Sequence, residues 1–120
     1  MKLKPITPAA HGLVDYAFAI ALFAVPRLIG CNKKTVQLYR GLALEIFLYS
    51  ALSRHPVAIF PRIPMKLHKV VDIANLSGLS LLTAYPGIRR KPRAISFNLS
   101  MVVAGLATVM LTQWTKKDWK

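Results

Sequence analysis

Two histidines in this sequence are each followed, four residues later, by an aspartate: His11 by Asp15, and His68 by Asp72. Residues four apart share one face of a helix, so each pair can form a hydrogen bond within its helix. One interpretation is a site that accepts and releases protons, the usual chemistry of a histidine beside a carboxylate. The other is a structural anchor, in which the aspartate lies near the positive end of the helix dipole and holds the histidine.

A further carboxylate, Glu45, falls at the middle of an apolar segment. Asn75 continues the helical stripe that the second histidine and aspartate begin. If that stripe faces inward, Glu45 and Asn75 can meet in the interior. Such a pair is either a proton or cation site at the middle of the membrane or a neutral polar clasp between helices. Arg40 and Asn98 are expected at a shared depth nearer the opposite end.

The histidines also raise the question of a bound cofactor or metal. Two histidines at equal depth on facing helices can serve as axial ligands, so haem held by His11 and His68 is an alternative. Zinc is less favoured, because only two histidines and two aspartates approach each other and no open coordination position is implied. The single cysteine, Cys31, excludes an internal disulfide, and its lysine-rich surroundings are expected to lower the pKa of the thiol. We therefore expect no cofactor.

Four apolar segments must position these groups, and they cover residues 8–29, 35–53, 64–88 and 94–115. A helix rises ~1.5 Å per residue, so ~20 apolar residues cross a hydrocarbon layer of ~30 Å. The fourth segment carries no charge and meets this length alone, and the third nearly does. The first two meet it only if Asp15, Arg40 and Glu45 are buried or reach the interface. Prolines and glycines at the segment ends and the absence of apolar–polar alternation predict helices.

The charge distribution favours a membrane protein with basic loops. The chain has 17 basic and 4 acidic residues and is 54% hydrophobic. Nearly all the basic residues lie between the apolar segments, whereas three of the four acids lie inside them, which argues against a nucleic-acid-binding protein. Nine basic residues fall on the side of the termini and eight on the other, so the positive-inside rule favours termini in the cytoplasm by a single residue.

The chain also repeats itself, because His68 follows His11 by 57 positions, as Asp72 follows Asp15. Two helices return each repeat to its starting face, so the repeats, about residues 8–55 and 64–115, should be parallel copies about an axis along the membrane normal. We predict a single membrane domain over residues 1–120. Its fold is expected to be all-α, a four-transmembrane-helix bundle built from two parallel helical-hairpin repeats.

The paired His-x3-Asp helices, each ending at a proline, and the lead-in Ile63-Pro64-Met65 resemble the SPW-repeat family of small bacterial membrane proteins. The Ser-Pro-Trp of that name is replaced here by Val25-Pro26-Arg27 and by Tyr85-Pro86-Gly87. The resemblance implies two-helix repeats integral to the bacterial cytoplasmic (inner) membrane. It carries no established activity.

We expect a non-enzymatic function, because four helices leave little room for a substrate cavity and its walls. The favoured interpretation is a small polytopic membrane protein that acts as a structural or accessory subunit of a membrane complex or self-associates. Its expected partners are the bilayer, anionic lipids and other membrane subunits, without nucleic acid. One alternative is a proton- or ion-conducting or transport module that uses Glu45 and the two histidine–aspartate pairs. A further alternative is a haem- or quinone-linked redox subunit.

Overall fold

The computed structural model describes residues 6–53, 58–60 and 62–112. Within these ranges the chain is helical and contains no strand, which confirms the predicted all-α class. The helices are five in number: α1 Pro8–Leu28, α2 Lys33–Leu52, α3 Met65–Leu82, α4 Pro86–Arg89 and α5 Pro92–Leu111.

Local signals in the sequence set the first helix boundaries. Thr7 caps α1, because its side chain accepts a hydrogen bond from the backbone N–H of Ala10 at 3.2 Å. Asn32 caps α2 in the same way and accepts from the N–H of Thr35 at 2.8 Å. Between them Gly30 adopts φ 83°, a left-handed conformation that glycine reaches without steric cost. The first two helices are therefore joined by a tight turn.

The predicted third apolar segment, residues 64–88, is not one continuous helix. α3 ends at Leu82, and the short helix α4 begins at Pro86. A proline restricts the residue before it to extended conformations, and Tyr85 has φ −65° and ψ 132°. The same proline signal starts α5 at Pro92. The third and fourth predicted segments therefore form three helices.

The four long helices form two hairpins. α1 packs along α2, and α3 packs along α5, while α4 lies against α5 and also contacts α2. Backbone bridges join Ile6 to Thr112 and Ser53 to Ile63. The starts of α1 and α3 and the ends of α2 and α5 therefore lie together, at what we term the bridged end. The first and last described residues share this end, as the prediction of both termini on one face requires.

The outer surface of the molecule carries many large apolar side chains. Leu22, Tyr39 and Leu79 are fully buried between the helices. Among the described residues, twenty large apolar side chains are nevertheless exposed, including Leu81 at 77% and Ile20 at 67%. Large exposed apolar patches are typical of surfaces that contact a membrane or a protein partner.

Two helices are long and apolar enough to cross a membrane, over Ala9–Leu28 in α1 and Pro92–Leu111 in α5. The first segment reaches this length and apolarity even with Asp15 inside it. α2 is less apolar because it includes Arg40 and Glu45. α3 has 18 residues and carries charged residues in its first half. It is therefore less suited to cross a membrane than the charge-free stretch after its aspartate predicts.

Candidate functional site

His11, Asp15, His68 and Asp72 form one group at the bridged end, here termed the His–Asp cluster. Nε2 of His11 lies 2.8 Å from Oδ2 of Asp72 and 3.3 Å from Oδ2 of Asp15. Nε2 of His68 lies 2.9 Å from Oδ2 of Asp15 and 3.3 Å from Oδ2 of Asp72. The expected pairs within each helix therefore exist, but the shorter contact of each histidine is with the aspartate of the other hairpin.

The cluster is almost completely removed from solvent. Both histidines are 1% exposed and Asp15 is 8% exposed, while Asp72 is slightly more accessible. Burial of ionisable groups at this depth is tolerated only when they pair with one another. The interior positions of α1 and α3 at the bridged end are therefore occupied by a self-contained polar group.

The two imidazole rings contact each other directly. Their centroids are 5.3 Å apart and the planes meet edge to face at 80°. Axial haem ligands stand on opposite faces of the macrocycle, and no porphyrin fits between rings at this distance. The alternative of haem held by His11 and His68 is therefore not supported.

A hydroxyl group holds the second nitrogen of each ring. Nδ1 of His11 lies 2.8 Å from Oγ1 of Thr112, the C-cap residue that follows α5. Nδ1 of His68 hydrogen-bonds Oγ of Ser53, the C-cap residue that follows α2. Each hydroxyl in turn donates to the backbone carbonyl four residues earlier in its helix. The second contact of each histidine therefore also lies on another helix.

These contacts fix where the ring protons reside. A hydroxyl has a single proton, and Ser53 and Thr112 donate theirs to backbone carbonyls, so each oxygen accepts from the Nδ1–H of a histidine. The Nε2 atoms of His11 and His68 then face the carboxylates either with a second proton or with a lone pair. With both extra protons present, two imidazolium rings and two carboxylates sum to zero charge.

Sequence reasoning missed Ser53 and Thr112. Both are small hydroxyl residues at the last turn of a long helix, where such residues commonly bond their own backbone. Their spacing could have identified them, because Thr112 follows Ser53 by 59 positions, close to the separation of the two histidines.

The structure brings Glu45 and Asn75 together, but on the outside of the bundle. Nδ2 of Asn75 donates to Oε2 of Glu45 at 3.3 Å. Glu45 is exposed and Asn75 is half-buried. The expectation of a buried carboxylate in the interior is therefore wrong. The buried face of α2 passes through Ala43 and Ile46, and Glu45, two residues after Ala43, points away from it.

Arg40 does not share a site with Asn98. Its guanidinium lies 4.4 Å from the centroid of the Phe23 ring, a cation–π contact between α1 and α2. Its Nε also donates to the carbonyl of Phe23 at 3.2 Å. Arg40 therefore covers an aromatic side chain at the edge of the first hairpin.

Asn98 instead forms the centre of a second buried polar group, distant in sequence from the His–Asp cluster. Its Oδ1 accepts from the hydroxyl of Tyr39 at 2.6 Å, and its Nδ2 donates to the carbonyl of Leu79 at 3.0 Å and to Oγ1 of Thr83 at 2.7 Å. These bonds tie α2, α3 and α5 together. Sequence reasoning selected Asn98 but missed Tyr39.

The described interior between the two polar groups is apolar. Leu22 lies two turns after Asp15 on α1, and Leu79 lies two turns after Asp72 on α3; both leucines are fully buried. A cavity of about 40 Å³ borders the His–Asp cluster and continues between apolar side chains such as Phe18. The continuous polar path that conduction predicts does not cross this layer of the described residues.

Cys31 lies in the turn between α1 and α2 and is half-buried. Burial raises the pKa of its thiol, and the nearby ammonium of Lys91 offsets only part of that effect. The expectation of a lowered pKa is therefore wrong, because loss of hydration of the thiolate outweighs the attraction of nearby cations.

The chain matches no protein-family model, no curated protein and no solved structure. The resemblance to the SPW-repeat family therefore stays a prediction.

Proposed function

We propose that this protein is a four-helix integral membrane protein that acts as a structural or accessory subunit of a membrane assembly. Its polarity supports this proposal, because ionisable side chains occupy the interior at the bridged end while large apolar side chains face outward. α1 and α5 have the length and apolarity of spans. In α2 and α3 most lysines lie in the first turns, from which their long side chains reach the headgroup region.

The observation that carries the subunit role is the Glu45–Asn75 pair on the outer surface. It is flanked by exposed apolar side chains, including Leu44 at 54% and Leu48 at 58%. A carboxylate facing hydrocarbon costs at least ~2.5 kcal/mol, and such groups normally face protein. A second membrane protein, or a second copy of this chain, would cover the pair and remove that cost.

Correspondence between the hairpins supports the proposed internal repeat. His11 and His68 each bond the other hairpin's aspartate, and Thr112 and Ser53 fill equivalent places beside them. Leu22 and Leu79, also 57 positions apart, are both fully buried. This equivalence is what two parallel repeats about a common axis predict.

The membrane location is tested by extraction. Membranes from cells that produce the chain are washed with sodium carbonate and then with a mild detergent. We expect the protein to stay in the carbonate pellet and to dissolve only in detergent. Release by carbonate, or recovery in the soluble fraction, would contradict the membrane proposal.

The subunit role is tested with Glu45→Leu and its matched control Leu44→Ala, a neighbouring exposed position. A tagged chain is captured in mild detergent, and the amounts of co-purifying membrane proteins and of untagged chain are measured by mass spectrometry. We expect Glu45→Leu to reduce association at least tenfold and Leu44→Ala to leave it within about twofold. Equal association in both variants would count against a subunit interface at Glu45.

A further inference from the structure

We propose that the His–Asp cluster binds one divalent transition-metal ion of the zinc type. The ligands are Nε2 of His11 and of His68 and one carboxylate oxygen each of Asp15 and Asp72. This inference goes beyond the subunit role and does not depend on it, because it concerns only the interior of the chain.

The positions of the four atoms support this assignment. Nitrogen and oxygen alternate around the cluster, and the four neighbouring N···O distances are 2.8, 2.9, 3.3 and 3.3 Å. All four ligating groups lie within 4.8 Å of one another. An ion at the centre of such a group lies ~2 Å from each atom, which is the length of zinc–nitrogen and zinc–oxygen bonds.

The outer contacts prepare the histidines as ligands. Ser53 and Thr112 hold the Nδ1–H of His68 and His11, so the Nε2 lone pair is directed into the cluster whenever the ring is neutral. Metal-binding histidines in proteins almost always donate their other ring N–H to a fixed acceptor in this way. In a protonated ring the same hydroxyl accepts the same Nδ1–H, so this contact fits the ring both with and without a metal ion.

The charge balance also fits a divalent ion. Two carboxylates and two neutral imidazoles carry a charge of −2, which one divalent cation cancels, just as two ring protons cancel it without metal. The occupied buried site is therefore neutral. Nitrogen ligands favour zinc and its transition-metal neighbours over magnesium and calcium, which prefer six or more oxygens.

Space for a water molecule exists beside the cluster. The cavity of about 40 Å³ is bordered by His11, Asp15 and Asp72 and is large enough to hold one. Because the four side chains already complete a tetrahedral coordination, such a water would hydrogen-bond the ligands and not bind the ion.

The test uses the full chain purified in detergent and stripped of metal with a chelator. Zn²⁺ is titrated while heat and thermal unfolding are recorded, and Co²⁺ is added separately as a spectroscopic probe. We expect one Zn²⁺ per chain, a higher Tm and the intense visible bands of four-coordinate cobalt. Absence of Zn²⁺ uptake, or a Co²⁺ spectrum without these bands, would overturn the proposal.

Variants assign the ion to this site. Asp15→Asn with Asp72→Asn keeps the side-chain volume and should abolish binding, whereas Glu45→Gln, a carboxylate outside the cluster, should bind as the unchanged chain does. Because the double variant can fail to fold, Ser53→Ala and Thr112→Val provide a second test that retains all four ligands. Loss of the outer contact should weaken Zn²⁺ binding about 10- to 100-fold. Unchanged affinity in every variant would place the ion elsewhere and contradict the assignment.

The two proposals fail in different experiments. A chain released by carbonate that still binds Zn²⁺ disproves the membrane role only. A chain held in the membrane that takes up no Zn²⁺ disproves the metal site only.

Discussion

His11 lies closer to Asp72, across the interface between hairpins, than to the aspartate of its own helix: Nε2 to Oδ2 is 2.8 Å in the first case and 3.3 Å in the second. His68 is likewise closer to the aspartate of the other hairpin, with its Nε2 2.9 Å from Oδ2 of Asp15. Each hairpin therefore supplies the partner that the other requires, and the buried ionisable groups are satisfied only when both hairpins are in place.

Removing one carboxylate should destabilise the whole fold. Asp72→Ala leaves a buried histidine without its closest partner, and we expect a loss of about 3–5 kcal/mol in the free energy of unfolding. Asp15→Ala should cost a similar amount, and the double variant less than the sum, because both residues belong to one network. The free energy of unfolding is measured in detergent, with circular dichroism as the signal. Glu45→Ala, on the outer surface, is the control, and an equal effect there would contradict the role of the cluster.

The second polar group should contribute less. Tyr39→Phe removes the donor to Oδ1 of Asn98 and leaves that acceptor buried, so we expect a loss of about 1–3 kcal/mol in unfolding free energy. Tyr85→Phe, at a half-buried position, should change it by no more than about 0.5 kcal/mol. The same unfolding experiment measures the stability of both variants. Similar losses in the two would show that the Tyr39 hydroxyl is not specifically required.

Two glycines should respond to alanine with opposite signs. A Cβ at Gly87 would lie 2.0 Å from Oγ1 of Thr35, whose side chain is fully buried, so Gly87→Ala should destabilise the fold by about 1–3 kcal/mol. A Cβ at Gly41 meets nothing within 4 Å, and helix propensity predicts a gain of about 0.5–1 kcal/mol for Gly41→Ala. Thermal unfolding of both variants, with the change in Tm as the measured quantity, checks the two expected effects. A neutral Gly87→Ala would mean that α4 does not press on α2.

Cys31 should react slowly with alkylating reagents at neutral pH. Burial raises the pKa of the thiol, so the reactive thiolate is scarcer at pH 7 than in unfolded chain and increases only at more alkaline pH. Lys91→Gln removes the cation that lowers this pKa and should slow the reaction further, whereas Lys34→Gln should not. Labelling rates against pH, followed by mass spectrometry, provide the measurement. A folded chain that reacts at pH 7 as fast as the unfolded chain would contradict the expectation.

Most helix boundaries could be predicted because their causes are local. The cap at Thr7 and the prolines that begin α4 and α5 act within a few residues, so they can be recognised directly in the sequence. α3 ends at Leu82, before the Pro86-Gly87 pair that marks the predicted end of the third helix, because Pro86 restricts Tyr85 to an extended conformation and begins a separate short helix. Apolar length alone therefore predicts the location of a helical region better than its continuity.

The candidate site could be predicted in membership but not in pairing. Spacing of four placed each histidine with its own aspartate, and nothing local shows that His11 lies closer to Asp72. That choice depends on how the hairpins pack. The outward position of Glu45, by contrast, follows from helical geometry once Ala43 and Ile46 are recognised as the buried face of α2.

At the bridged end each histidine bonds to residues of the other hairpin. The molecule is therefore equivalent to a dimer whose two subunits are joined in one polypeptide. A fragment that ends after Ser53 lacks the acceptor for His11, and a fragment that begins at Ile63 lacks the acceptor for His68. Two copies of either fragment, related by a twofold axis, would offer each other a hydroxyl and a carboxylate in equivalent places. Separately produced halves should therefore complement one another in trans, because each carries the hydroxyl and the carboxylate that the histidine of the other contacts.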